Sequence, residues 1–276
     1  MLKVKIQLKK NDFKRSETEL KNMIKEKTTE LKLAVLIDAD NVSSIYVKEM
    51  FEEIAKYGTP TFKRIYADWT KPTVTGWKNV LLENAITPIQ QYSYTTGKNA
   101  SDSALIIDAM DILYTGKVDG FCIVSSDSDF TRLATRLREA GMKVIGIGEK
   151  KTLTPFITAC DKFIYIEILK PQIERSEEIA GDKNAKKTKA IALKAKPKIE
   201  ATVLKLLTLS VADLADENGW TYLGELGNLM LKKKPDFDPR NHGFPKMLPL
   251  IKSTGLFEID ERETSKNRKH IYIRKK

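Results

Sequence analysis

Residues 33–38 read LAVLID and continue as ADN to residue 41. A continuous apolar run closed by an aspartate is what a strand buried on both faces requires, and such strands belong to parallel sheets covered by helices. The next segment, VKEMFEEIAKYG at 47–58, sets Val47, Met50, Phe51 and Ile54 at helical spacing and stops at Gly58. Strand-like runs then recur: TFKRIYADW (61–69), AITPIQQYS (85–93), FCIVSS (121–126), KVIGIG (143–148) and DKFIYIEIL (161–169). Helical stretches separate them near residues 76–84, 102–114 and 129–140, the last ended by Gly141. This alternation predicts an α/β domain over 31–170, with one parallel sheet sandwiched by helices.

Upstream, residues 1–30 form a short lead-in in which Ser16 and Glu19 have capping-box spacing, so a helix is expected from about residue 17. The basic start has no apolar stretch behind it, and no run approaches the roughly 20 apolar residues of a membrane span. Neither a signal peptide nor a membrane partner is expected. Cys122 and Cys160 are the only cysteines. They make no disulfide framework and no thiolate metal site, which points to a reducing compartment, the cytoplasm.

Downstream, residues 171–197 carry few large apolar side chains and a dense lysine run, and read as a linker. Residues 198–276 resume a helical pattern in three segments. LFEID and HIYIRK then alternate as a hairpin, which together predicts a winged helix. The formal net charge of +11 is unevenly placed. Residues 31–170 hold seventeen basic and seventeen acidic side chains, whereas 183–198 hold seven lysines and no acid. A neutral domain with basic flanks suits a polyanionic partner, because lysines that release counterions from phosphates bind without sequence preference.

Four aspartates fall where the strands and helices would expose them at the carboxyl edge of the sheet: Asp38 in LIDADN, Asp102 in SDSALIIDAMDIL, and Asp127 and Asp129 in SSDSDF. Singly, each is explained as a turn residue or a helix cap. Together they would repel one another and stay ionised only around a cation. Oxygen ligands without Cys or His select Mg²⁺ or Mn²⁺. The two histidines, His242 and His270, lie in the C-terminal region, so no histidine base serves the large domain. Hydrolysis assisted by a carboxylate-held metal remains. Trp69 and Trp77 are read as packing residues more readily than as base-stacking ones, Asp108 and Asp111 as the polar stripe of their helix, and Cys122 as a buried hydrophobe.

LIDADNV, GKNASD leading into a helix, and SSDSDF before a helix that ends at AGMKVIGIG resemble the NYN domain of the LabA/DUF88-like proteins, in the PIN-like nuclease superfamily. The resemblance covers residues 33 to about 168. It implies a PIN-like, Rossmannoid α/β/α sandwich and Mg²⁺- or Mn²⁺-dependent cleavage of RNA. It maps both catalytic and metal-ligating roles onto Asp38, Asp102, Asp127 and Asp129. Asn41 would orient substrate or a ligand carboxylate, and Lys98 would contact the scissile phosphate. From about residue 198, the strings GWTYLGELGNLMLKKK and PDFDPRNHGF resemble the LOTUS or OST-HTH domain. That family implies an RNA-associated winged helix, with a protein partner as its second use. Lys232, Lys233 and Arg240 are its candidate RNA contacts among the basic residues at one helix end. Two rivals stand beside a ribonuclease: a haloacid-dehalogenase-type phosphatase with Asp38 as nucleophile in D-x-D, and a non-catalytic RNA-binding adaptor.

Overall fold

The computed structural model describes residues 30–92, 100–169, 199–263 and 269–276. The helix expected from residue 17 and the linker at 171–197 lie outside the described residues. In the first domain the chain runs β1 (Lys32–Asp38), α1 (Val47–Ile54), β2 (Thr59–Ala67), α2 (Thr75–Lys78), β3 (Thr87–Gln90), α3 (Ala100–Thr115), β4 (Gly120–Val124), α4 (Thr131–Glu139), β5 (Lys143–Gly148), α5 (Thr154–Ala159) and β6 (Lys162–Tyr165). All six strands are parallel, in the order β3-β2-β1-β4-β5-β6. The chain therefore winds outward from β1 in one direction, then returns to lay β4 against the other side of β1.

Side chains alternate between the two faces of each central strand. Leu33, Val35 and Ile37 of β1 join Cys122 and Val124 of β4 in one core, covered by Val47, Met50 and Ile54 of α1 and by Trp77 of α2. Ala34, Leu36, Phe121 and Ile123 face the other core, against Leu105 and Ala109 of α3, Leu133 and Leu137 of α4, and Phe156 of α5. Each fully buried Leu or Ile contributes about 1.5–3 kcal/mol relative to an exposed one, so these strands need both helical layers. At Gly146 in β5, an added Cβ would lie 2.5 Å from the Phe163 ring; only glycine admits that ring. The KVIGIG string is a strand whose glycines let Phe163 of β6 pack close.

Two local expectations change. The helix expected near residues 76–84 shrinks to the single turn of α2, and α5, six residues long and opened by Pro155, was too short to show a helical period.

The second domain comprises α6 (Ala201–Leu214), β7 (Trp220–Tyr222), α7 (Leu223–Lys233), α8 (Met247–Thr254), β8 (Phe257–Glu263) and β9 (Lys269–Lys275). Its antiparallel sheet has three strands, β7-β9-β8, where a two-stranded hairpin was expected. Three residues cannot show an alternation, and the partner of β7 lies about fifty residues downstream, so sequence pattern did not reveal it. The core is separate, built on Val203, Leu207, Leu226, Leu250 and Ile273.

The loop between α7 and α8 docks on the exposed flank of β6. Phe163 N–H donates to Pro235 O at 2.9 Å, and Tyr165 Oη donates to Asp236 Oδ2 at 2.8 Å. An edge strand otherwise presents unpaired backbone groups, and this contact covers part of that edge.

Candidate metal centre at the sheet's carboxyl edge

Between β1 and β4 the winding direction reverses, which is the kind of switch point where open α/β sheets bind ligands at the carboxyl ends of their strands. Asp38 ends β1 and is 2% exposed. Its Oδ2 accepts from Asn41 Nδ2 at 2.6 Å and from Ser125 Oγ at 2.9 Å, and its Oδ1 accepts from Asp40 N–H at 3.1 Å. Burial pushes the Asp38 carboxyl above its ordinary value, while these three donors act against the rise.

Ser125 follows β4 directly and ties the two strand ends together, since its Oγ also accepts from Asp127 N–H at 3.0 Å. Asp127 caps the 3-10 turn Ser128–Phe130 by accepting from Asp129 N–H at 2.9 Å. Asp102, in the first turn of α3, is 8% exposed. One carboxylate oxygen from each of Asp102, Asp127 and Asp129 lies within 4.8 Å of the others. Burial first, then the charges of Asp38, Asp127, Asp129 and Asp40, push Asp102 up to about 6. A raised acid favours the folded state at low pH and gives that up as pH rises toward 6, so without a cation this edge opposes its own ionisation near neutrality. Three hard oxygen donors, one buried and held near protonation by its neighbours, fit a divalent cation.

Asp38 stands beside the trio rather than in it. Its Oδ2 already accepts two hydrogen bonds and its Oδ1 one, which leaves a lone pair on Oδ1 available for a ligand. Asn41 holds Asp38, one of the two roles the resemblance implied for it. Lys98 lies outside the described residues.

Elsewhere the expected contacts divide. Arg240 was expected among the RNA contacts; instead its Nη1 and Nη2 donate to Glu53 at 2.9 and 2.7 Å, and its Nε and Nη2 to Asp238 at 3.0 and 2.7 Å. Glu53 and Asp238 are buried, so the guanidinium is a bridge between domains. Lys233 Nζ donates to Asp213 at 2.5 Å and to Ser210 at 3.1 Å. Lys232 is exposed. Trp77 is 2% exposed and donates to Val42 O at 3.1 Å, and Trp69 donates to Ile89 O at 3.0 Å, so both pack, as expected. Asp108, read as part of a polar stripe, accepts instead from Arg64 and Tyr66 of β2.

Two residues at this edge escaped sequence reasoning. Ser125 is the hub joining Asp38 to Asp127. The doubled serine of SSDSDF was its only signal. Asp68 follows β2, is 7% exposed, and accepts from Thr70 Oγ1 at 2.6 Å and Gln90 Nε2 at 3.2 Å. Its strand-terminal position in IYADW repeats that of Asp38 in LAVLID.

The family model for the NYN domain matches residues 32–167, and that for the OST-HTH/LOTUS domain matches residues 186–268. The chain carries an NYN domain followed by a LOTUS domain. The NYN domain places residues 32–167 in the PIN-like nuclease superfamily, and the six-stranded parallel sheet has that architecture. Among solved structures, a protein of unknown function from Vibrio parahaemolyticus is 22% identical with a TM-score of 0.42, covering 50% of this chain and 94% of its own. An uncharacterized protein from Nitrosomonas europaea is 31% identical with a TM-score of 0.27, covering 34% of this chain and 91% of its own. No curated protein matches the chain.

Proposed function

We propose that the protein is a ribonuclease that hydrolyses RNA phosphodiester bonds at the carboxyl edge of its NYN domain, with Mg²⁺ or Mn²⁺ held by Asp102, Asp127 and Asp129 and flanked by Asp38. The convergence of three carboxylate oxygens within 4.8 Å, at the switch point of a PIN-like nuclease sheet, carries this reading. A divalent ion there supplies activation of water and neutralises charge developing on the phosphate oxygens. The chain's own residues do the rest. Asn41 and Ser125 fix the Asp38 carboxylate, and Ser125 also fixes the Asp127 backbone. Asp127 in turn closes the turn that carries Asp129. The LOTUS domain and the lysine-rich linker are the recruiting elements for RNA in this account. Two free, buried thiols, Cys122 and Cys160, support a reducing compartment such as the cytoplasm.

The phosphatase rival asks Asp38 to attack phosphorus. A carboxylate 2% exposed, with both oxygens engaged by Asn41, Ser125 and Asp40, is poorly placed to do so. Labelled single-stranded RNA with Mn²⁺ is therefore expected to be cut, while p-nitrophenyl phosphate leaves no aspartyl-phosphate. A trapped phosphoenzyme at Asp38, with RNA intact, would replace the nuclease reading by the phosphatase one.

A further inference from the structure

A cleft of about 550 Å³ lies between the two domains, lined by charged side chains from both. Arg138, Lys143 and Lys162 come from the NYN domain, Lys232 and Lys233 from the end of α7, and Asp161 is the one acid lining the cleft among the described residues. Lys143 and Lys162 open β5 and β6, so the cleft sits at the amino edge of the sheet. The carboxylates sit at the opposite edge, and five or six residues of strand separate the two sites by roughly 20 Å. The two are distinct places on the molecule.

The cations outnumber what the protein provides to balance them. Asp161 is shared, with Arg138 Nε at 3.4 Å and Lys143 Nζ at 3.8 Å. It also accepts from Val144 N–H at 2.8 Å. Lys233 is paired with Asp213. Lys232 makes no ion pair among the described residues. Lys162 is the most unusual: it is 9% exposed, and its nearest carboxylate, Asp238, is 4.0 Å away and already engaged by Arg240. Its ammonium lies over the Tyr57 ring at 5.7 Å from the centroid. Burial pushes its pKa down, with Asp238 and Glu53 opposing the shift and Arg240 and Lys143 adding to it. A buried ammonium whose counter-charge lies 4.0 Å away and is shared with Arg240 is costly, and an anion entering the cleft would lower that cost.

We propose that this interdomain cleft binds a phosphate group through Lys143, Lys162 and Lys232. The volume lies within the range of sites that take small ligands, roughly 300–1,000 Å³. The phosphate has two sources, the backbone of an RNA strand or a free nucleotide. The first deepens the ribonuclease reading by giving the RNA a contact remote from the carboxylates; the second is independent of it.

The test uses the full chain in excess chelator, so that binding is read without cleavage. The probes are a labelled single-stranded RNA and ADP. Lys143→Glu with Lys232→Glu changes two exposed positions, and Lys162→Met, checked by its melting curve, removes the buried charge. The double variant is expected to lose about tenfold or more in RNA affinity, with the slope of log affinity against log salt shallower by about 1.4 for two lost contacts. Lys162→Met should lose affinity without a change of that size in slope. Loss for RNA alone identifies the backbone as the source, and loss for ADP as well identifies a nucleotide. Unchanged affinity for both probes in the double variant overturns the proposal, whatever the cleavage assay shows. A protein that cuts no RNA yet loses affinity on these substitutions keeps the cleft and loses the nuclease reading.

Discussion

Asp127→Asn is expected to lower RNA cleavage by about 10²–10³-fold or more, the scale of losing one preorganised electrostatic group from a reacting centre. The substitution is suited to the question because asparagine is as good an N-cap as aspartate. The amide oxygen can still accept from Asp129 N–H, and the Asp127 N–H to Ser125 bond involves only backbone on its side. The turn should therefore stay closed while one ligand charge disappears. Two further consequences follow. Asp102 loses one of the charges that hold its carboxyl near 6 and should titrate lower. In chelator, relief of carboxylate repulsion should leave the variant at least as stable as the parent near neutral pH. Parental cleavage by a folded Asp127→Asn protein would remove the carboxylate centre from the mechanism.

Arg240→Ala is expected to destabilise the chain by on the order of 3 kcal/mol, because removing one partner of a buried ion pair strands the other charge. Here two acids are stranded, Glu53 and Asp238, at 3% and 7% exposure. Lys56, at 2.5 Å from Glu53, moderates the loss. The pair also has a pH signature. Burial alone would raise Glu53, but hydrogen bonds from Arg240 and Lys56 and their charges bring it down to about 2. An acid lowered in the folded state contributes stability that is complete above its ordinary value of 4.5 and is lost as pH falls toward 2. The melting difference between parent and Arg240→Ala should accordingly shrink across that window. Equal melting temperatures, with a loss of RNA affinity, would return Arg240 to the surface role that its sequence context suggested.

Arg240 shows where sequence stops being sufficient. PDFDPRNHGF identifies the LOTUS domain, and a basic residue there reads naturally as an RNA contact. Its real partner, Glu53, lies 187 positions earlier on α1, where the helical period marks it only as a charged residue. Nothing local signals that a glutamate will be covered by another domain. Asp108 escaped for the same reason, since its partners Arg64 and Tyr66 sit on β2. The sheet was legible because burial on both faces leaves a continuous apolar run in LAVLID and FCIVS, and each run ends in a polar residue that the parallel arrangement must place at one edge. The structure brings Asp102, Asp127 and Asp129 together, and a shared edge for them could be read from sequence. The separate standing of Asp38 could not. Whether a carboxylate joins the trio or stands behind it depends on the Asn41 and Ser125 bonds to Asp38, which are set by the spacing of β1 and β4. Strand β7, three residues long, and the one-turn α2 fall below the length at which any period can be read.

The most direct test of the central claim is the cleavage rate of a labelled single-stranded RNA by the full chain. It is measured first in excess chelator and again after Mn²⁺ or Mg²⁺ is added beyond the chelator. No cleavage before addition and restored cleavage afterwards, absent in Asp127→Asn, is the predicted result. Full cleavage in chelator would contradict it.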